Sequence, residues 1–188
     1  RSTLFPYTTL FRSRDSYTPW SQALLHFHIP GADDILALCE TPDAVYVGSN
    51  GTGLWKADRY DGEFRPVPHA PNIVSCLVLD GAGDMWMGSW GDGVIRMDPS
   101  SGRIKARYTS ADGLLTNSIM SLRPGKDGQI YIGQYQGVVQ RLNPSTGEIV
   151  TLFEDRSTNL RDLSFVNDST LVVTISVGLV TMNPVTDL

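Results

Sequence analysis

Two stretches decide the fold, and they are one pattern written twice: MWMGSWGDGVIRMDPSSG, residues 85–102, and IYIGQYQGVVQRLNPSTG, residues 130–147. Each begins with apolar residues that end in a glycine, crosses a short loop to a second glycine, and enters a second apolar run. Each then closes on an aspartate or asparagine followed by proline. Alternating apolar residues bounded by Gly and Asx turns predict β-strands joined by hairpins.

The same pattern occurs twice more along the chain. VYVG at residues 45–48 precedes GLWKAD at 53–58, and a weaker copy, LVVTISVGLVTMN, occupies residues 171–183. The Asx residues that close these copies lie about 40 to 45 positions apart, a period typical of one supersecondary unit repeated along a chain. They are Asp58, Asp98, Asn143 and Asn183.

Each unit carries four strand signals, because an apolar run such as IVSCLVLD (73–80) precedes the pattern and a further strand follows it. Four antiparallel strands in every unit predict an all-β fold, a β-propeller with about four blades. A β-sandwich would not repeat motif for motif. The predicted blades span residues 31–71, 72–116, 117–160 and 161–188. Residues 14–30, which include ALLHFHIP, are expected to end a preceding blade, so we expect an incomplete ring, an arc of a larger propeller.

The first thirteen residues do not fit this repeat. The stretch TLFPYTTLFRS, residues 3–13, matches the conceptual translation of a sequencing adapter, and Pro6, Thr8 and Thr9 interrupt any signal-peptide core. Residues 1–13 are therefore interpreted as adapter-derived and left out of the fold prediction. A disordered N-terminal tail is the alternative.

Composition excludes several classes of function. A net charge of −5 and a pI near 5.0 disfavour nucleic-acid binding through a basic footprint. No apolar run is long enough to span a membrane. Cys39 and Cys76 have no CxxC spacing, which leaves a zinc site unsupported, and both are expected to be buried thiols, with a disulfide left open.

No residue pattern predicts catalysis, a cofactor or a metal site. His26 and His28 share a strand face but have no third ligand nearby, and His69 follows a proline in a loop. The loops GSNGTG (48–53) and GSWGDG (88–93) do not open a helix, so they are interpreted as turns rather than phosphate-binding loops. Asp80, Asp84 and Asp127 are likewise assigned to turns.

A ligand surface is the stronger prediction. In a propeller, the loops between the second and third strands and the connections between blades gather on one face. Aromatic rings beside amides and carboxylates suit a sugar, because a ring can stack on its apolar face. Trp90 and Tyr135 have an alternative as packing between blades, and Trp86 and Tyr131 are predicted core. The candidate ligand-binding residues are Asn50, Trp90, Asp92, Tyr135, Gln136, Asp112 and Asn117.

Residues 72–104 and 117–149 closely resemble the two-component regulator propeller repeat, and the resemblance extends over residues 31–188. The Asn-x-Ile start, the aromatic-Ile-Gly strand and the Asx-Pro turn carry it; in the fourth unit TISVG replaces the aromatic-Gly pattern. It implies the periplasmic or extracellular sensor region of a membrane-anchored hybrid histidine kinase, without catalysis of its own. Its implied partners are an oligosaccharide or other small ligand and the rest of its own sensor protein, with no nucleic acid or membrane contact through this region. A homodimer is left open.

Two other functions stay open. A streptogramin-lyase-like propeller would need a catalytic histidine in a loop of the ligand face, and none of the three histidines is expected there. A secreted, non-signalling scaffold that binds proteins would share the same blades, since propellers carry many functions. WD repeats and kelch repeats are disfavoured because the chain has no Trp-Asp, Gly-His or Gly-Gly pair.

Overall fold

The computed structural model describes residue 29 and residues 34–58 and 63–184. These residues form fifteen β-strands and one short 3₁₀ turn. The strands build four antiparallel sheets in chain order, three with four strands and the last with three. This arrangement confirms the predicted all-β fold built from propeller blades. The adapter-like residues, His26, His28 and, apart from Ile29, the strand expected at ALLHFHIP lie outside the described residues.

Each sheet is a meander in which neighbours in sequence are neighbours in space. Sheet 1 contains β1 (Asp34–Glu40), β2 (Ala44–Asn50), β3 (Leu54–Asp58) and β4 (Phe64–Pro66). Sheet 2 contains β5 (Val74–Leu79), β6 (Met85–Ser89), β7 (Val94–Met97) and β8 (Ile104–Tyr108). Sheet 3 contains β9 (Ile119–Pro124), β10 (Ile130–Gln134), β11 (Val138–Leu142) and β12 (Ile149–Glu154). Sheet 4 contains β13 (Leu160–Asn167), β14 (Thr170–Ile175) and β15 (Gly178–Met182).

The Asx-Pro turns close the third strands as the sequence predicts. The side chain of Asp98 accepts a 2.9 Å hydrogen bond from the amide of Ser100, and its main-chain carbonyl accepts one of 2.8 Å from Gly102. Asn143 repeats both bonds with Ser145 and Gly147 at 2.9 and 2.8 Å. The side-chain oxygen thus satisfies an amide that the sheet leaves without a partner.

The core lies between the sheets rather than within one. One apolar cluster fills each interface between consecutive sheets, and the second strand of each sheet supplies much of it. Trp86 and Tyr131 are 0% and 1% exposed, which confirms their assignment to the core. Tyr131 packs edge-on against Phe165 of sheet 4, with ring centroids 5.0 Å apart.

A glycine in the second strand of sheets 1, 2 and 3 permits this close packing. A Cβ on Gly133 would lie 2.6 and 2.8 Å from side-chain carbons of Leu160 and Leu163 in the next sheet. Gly48 and Gly88 occupy the same position in sheets 1 and 2, where a Cβ would lie 2.7 Å from side-chain carbons of Val74 and Ile119. These distances are shorter than van der Waals contact, so the recurring glycine is where the next sheet approaches.

Candidate functional site

The two ends of the sheets differ in what they carry. The end called here the connection end holds the loops between the second and third strands and the segments that join one sheet to the next. The opposite end, the turn end, holds the remaining hairpins and the Asx-Pro turns. All seven predicted ligand-binding residues lie at the connection end, in these loops and connections.

Ser118 links the two aromatic residues of the predicted site. Its backbone forms a β-bridge with Trp90 of the β6–β7 loop, and its carbonyl accepts a 2.9 Å hydrogen bond from the amide of Tyr135 in the β10–β11 loop. One residue thus holds loops from two sheets. The side chains of Trp90 and Tyr135 are 40% and 43% exposed, so neither ring is buried between the sheets.

A buried pair of glutamines fixes the connection between sheets 2 and 3. Gln134 accepts a 2.8 Å hydrogen bond from the amide of Thr116, and Gln140 accepts one of 3.1 Å from Leu115. The two amide side chains also bond to each other. They are 0% and 2% exposed. A buried amide needs its partners to offset desolvation, so these bonds hold the connection rigidly on sheet 3.

Asp112 and Asn117 shape the same connection. Thr109 is the N-cap of the 3₁₀ turn Ser110–Asp112, and Asp112 completes a capping box by accepting hydrogen bonds of 2.8 and 3.0 Å from the amide and hydroxyl of Thr109. The side-chain oxygen of Asn117 accepts a 2.7 Å bond from the amide of Ser110. These contacts give both residues a structural part. Their assignment to a ligand site stays a prediction.

The main-chain carbonyl of Asn117 also reaches the neighbouring loop, where it accepts hydrogen bonds from the amides of Gly91 and Gly93 at 3.0 and 3.1 Å. Trp90 and Asp92 are therefore carried on a loop that is fastened to the connection. The carboxylate of Asp92 accepts a 3.4 Å hydrogen bond from the hydroxyl of Ser89. Loop and connection form one continuous surface.

The last two predicted ligand-binding residues, Gln136 and Asn50, lie at different junctions between sheets. Gln136 follows Tyr135 with φ of 64°, a left-handed conformation that directs this tight loop, and its side chain is exposed. Asn50 lies one sheet away, at the junction of sheets 1 and 2, where it bridges Ile73 and donates a 3.5 Å hydrogen bond to Asp34. The structure thus groups six residues around the junction of sheets 2 and 3 and places Asn50 apart.

The sequence analysis missed three residues of this region, one on the surface and two buried beneath it. Leu115 lies in the connection between sheets 2 and 3 and is 40% exposed, so it adds apolar area to the surface. Gln134 and Gln140 are polar at strand positions whose neighbours are buried, and that interruption of the apolar pattern is the signal that could have identified them.

His69 corrects one expectation. It lies in the segment between β4 and β5 that joins sheets 1 and 2, so it does stand at the connection end, contrary to the prediction for all three histidines. Its φ of 63° and a 2.7 Å hydrogen bond from Arg107 to its carbonyl describe a turn residue. Its imidazole has no hydrogen-bond partner within the described part of the chain.

The remaining sequence candidates have structural contacts. Cys39 and Cys76 are free, and burial raises the pKa of the Cys76 thiol to about 12. Asp80 accepts a 2.8 Å hydrogen bond from the indole of Trp86, and Asp84 is 4% exposed in an ion pair with Arg96. Across residues 34–58 and 63–184, no group of three His, Cys, Asp or Glu side chains is placed to hold a metal ion.

Comparison with known proteins gives structural likeness without sequence likeness. No protein-family model matches the chain, and no curated protein matches it. The extracellular domain of the putative one component system BT4673 from B. thetaiotaomicron is similar in structure, with a TM-score of 0.67, 18% identity, and coverage of 85% of this chain and 23% of that one. A structure described as the extracellular domain of the putative hybrid two component system BT4673 gives a TM-score of 0.65 at 18% identity, covering 83% and 22%.

The computationally designed Ika4 protein is also similar, with a TM-score of 0.68 at 16% identity, covering 83% of this chain and 95% of that one. At these identities the likeness shows the fold alone. The chain has a β-propeller fold, and it spans less than a quarter of the length of the extracellular domain of BT4673. In its described residues no helix is long and apolar enough to cross a membrane.

Proposed function

We propose that this region is the ligand-sensing part of a two-component signalling protein, placed outside the cytoplasmic membrane, and that it binds an oligosaccharide at its connection end. It carries no catalytic chemistry of its own. The fold shared with an extracellular two-component domain supports the sensor class. The observation that carries the ligand class is the pair of half-exposed rings, Trp90 and Tyr135, held on either side of Ser118.

The physical case for a sugar rests on the mixed chemistry of this surface. A pyranose ring has apolar C–H faces that stack on aromatic rings, while its hydroxyls need hydrogen-bond partners at the edge. Trp90, Tyr135 and Leu115 offer apolar area, and Asp92 and Gln136 offer a carboxylate and an amide from the same two loops. A protein partner would call for a larger apolar patch than three half-exposed side chains provide.

The surface is also organised before a ligand arrives. The buried Gln134–Gln140 pair and the Asn117 carbonyl fasten the connection and the β6–β7 loop through hydrogen bonds of 2.8 to 3.1 Å. Loops that are already ordered lose less conformational freedom on binding, which improves affinity without any new contact. Ligand binding would then bias the arrangement of this propeller relative to the rest of the sensor, as a population shift.

Calorimetric titration with a panel of neutral oligosaccharides tests the proposal. Trp90→Ala and Tyr135→Ala should each weaken binding at least tenfold, a loss of about 1.4 kcal/mol. Val177→Ala is the matched control, because Val177 is an exposed apolar residue in the equivalent loop of sheet 4. Binding that both aromatic variants leave intact would contradict this site, and an absence of any oligosaccharide binding would favour the scaffold function.

A further inference from the structure

Sheets 2 and 3 are copies of one unit, yet their turn ends carry different charged side chains. In sheet 2 the guanidinium of Arg96 donates from both Nε and Nη2 to Oδ2 of Asp84, each at 2.7 Å, and the ammonium of Lys105 contacts the other oxygen of the same carboxylate. The Asp84 side chain is only 6% exposed. Sheet 2 therefore fills its turn end with a buried carboxylate between two cations.

Strand register identifies the matching positions in sheet 3. Arg96 pairs with Trp86 across β6 and β7, and Arg141 pairs with Tyr131 across β10 and β11. Gln129 precedes Tyr131 as Asp84 precedes Trp86, by two residues. Val150 is the equivalent of Lys105. Each is the residue after the isoleucine that pairs with the last residue of the third strand, Ile149 with Leu142 in sheet 3 and Ile104 with Met97 in sheet 2. Sheet 3 thus keeps the arginine and replaces both the carboxylate and the ammonium.

Arg141 keeps one of the bonds that Arg96 makes. Its Nη1 donates to the carbonyl of Pro184 at 3.2 Å, as that of Arg96 donates to Pro144 at 3.3 Å. Within residues 34–58 and 63–184 no carboxylate forms an ion pair with Arg141. Gln129 stands at the position that Asp84 fills in sheet 2. It lines a cleft of about 310 Å³ together with Asp127, Arg141, Asn143, Glu148 and Val150.

The cleft is lined by both a cation and anions, which suits a ligand that carries two opposite charges. Arg141 is its cation, and Asp127 and Glu148 are its anions. Asp127 is held in place by hydrogen bonds from the Gln129 amide and the Tyr131 hydroxyl at 3.1 and 2.8 Å. Glu148 is exposed and forms no ion pair in the described part of the chain.

We propose that this cleft binds a small zwitterion, for which an α-amino acid is the simplest form. Its carboxylate lies beside Gln129 and accepts hydrogen bonds from the N–H groups of Arg141 that Pro184 and the Tyr131 hydroxyl leave unused, because guanidinium–carboxylate pairs are strong and directional. Its ammonium, in place of that of Lys105, faces Glu148 and Asp127. The volume lies at the lower end of the roughly 300–1,000 Å³ of small-molecule pockets, which fits a ligand of this size. The site is at the turn end, away from the proposed oligosaccharide surface.

Titration with L-alanine tests the charge requirement directly. Propionate lacks the ammonium and ethylamine lacks the carboxylate, so each should bind at least tenfold more weakly than L-alanine. Arg141→Gln should reduce the affinity for L-alanine at least tenfold. Lys126→Gln is its matched control, because it removes one positive charge from the adjacent turn at an exposed residue that does not line the cleft. It should leave the affinity unchanged.

A gain-of-contact variant separates loss of the site from loss of the fold. The double substitution Gln129→Asp with Val150→Lys rebuilds the sheet 2 charge cluster in sheet 3. It should abolish L-alanine binding while the melting temperature stays at or above that of the wild type. The proposal is overturned if L-alanine does not bind, if propionate binds as tightly, or if the rebuilt cluster leaves binding intact.

Discussion

The hydroxyl of Tyr46 in sheet 1 donates a 2.6 Å hydrogen bond to the main-chain carbonyl of Pro99 in sheet 2, across 53 residues of sequence. Pro99 is the proline of the Asx-Pro turn that closes β7. The fixed φ of the proline shapes the turn. The turn presents the carbonyl of Pro99 to the preceding sheet. The proline is therefore part of the interface between two blades as well as part of a turn.

The same carbonyl position is used at the later junctions, with a different donor. Arg96 binds the carbonyl of Pro144 and Arg141 binds that of Pro184. The acceptor is repeated because the turn is repeated. The donor changes from a tyrosine on a second strand to an arginine on a third strand, so the repeat preserves the contact without preserving the residue.

Tyr46→Phe tests what this contact contributes. The side chain is 1% exposed, and removing its hydroxyl deletes one inter-sheet hydrogen bond while the ring still fills its place. We expect the free energy of unfolding to fall by about 1 kcal/mol, the usual net value of such a bond, as measured by urea denaturation. Tyr135→Phe, at a residue 43% exposed, is the matched control. A loss no larger than in that control would show that water replaces the bond without cost.

Asp84→Ala should destabilise the protein far more. The substitution leaves Arg96 and Lys105 without the carboxylate between them, and Arg96, with 22% side-chain exposure, cannot regain full hydration. Breaking a buried ion pair of this kind costs about 3 kcal/mol, measurable by urea or thermal denaturation. Glu154→Ala breaks the exposed pair with Arg156 and should cost less than about 1 kcal/mol. Equal losses in the two variants would contradict the role given to burial.

Gly133→Ala probes the close approach of sheets 3 and 4. A methyl group there would meet carbon atoms of Leu160 and Leu163 at 2.6 and 2.8 Å, so the leucines or the strand must shift. Overpacking of this kind costs about 1 to 3 kcal/mol. Gly81→Ala is the matched control, since nothing lies within 4 Å of a Cβ at that position. Chemical denaturation of both variants should show the loss in the first alone.

The sequence predicts the blades well because each blade is specified locally. The apolar alternation and the Asx-Pro turn follow from contacts between residues close in sequence. The second-strand glycine reflects a contact with the next sheet, but it recurs at the same point of three units and can therefore be recognised. Trp86 and Tyr131 are identified as core for the same reason, since they alternate with apolar residues within their strands.

The candidate site is predicted less completely because its contacts are long-range. The same holds at the turn end, where Asp84 looks like an ordinary turn aspartate but binds Lys105, 21 residues later in the chain. Gln134 and Gln140 hold the connection between sheets 2 and 3 through hydrogen bonds that span 18 and 25 residues, and no local sequence pattern links these residues. Such partners become visible only when strand pairing sets them side by side.

Tyr131 should make the stability of the protein fall steeply at high pH. Its burial, together with the Asp127 carboxylate that accepts its hydroxyl bond at 2.8 Å, raises the pKa of Tyr131 to about 12. An unfolded tyrosine ionises near pH 10, so the folded state favours the neutral phenol. The resulting stability is fully present below about pH 10 and is lost as the pH rises through about 12.

Tyr131→Phe should therefore show a shallower decline of the unfolding free energy over that window. The difference in tyrosinate absorbance between wild type and variant should titrate near pH 12. A midpoint near pH 10 for that difference would show that the hydroxyl reaches solvent in the folded protein.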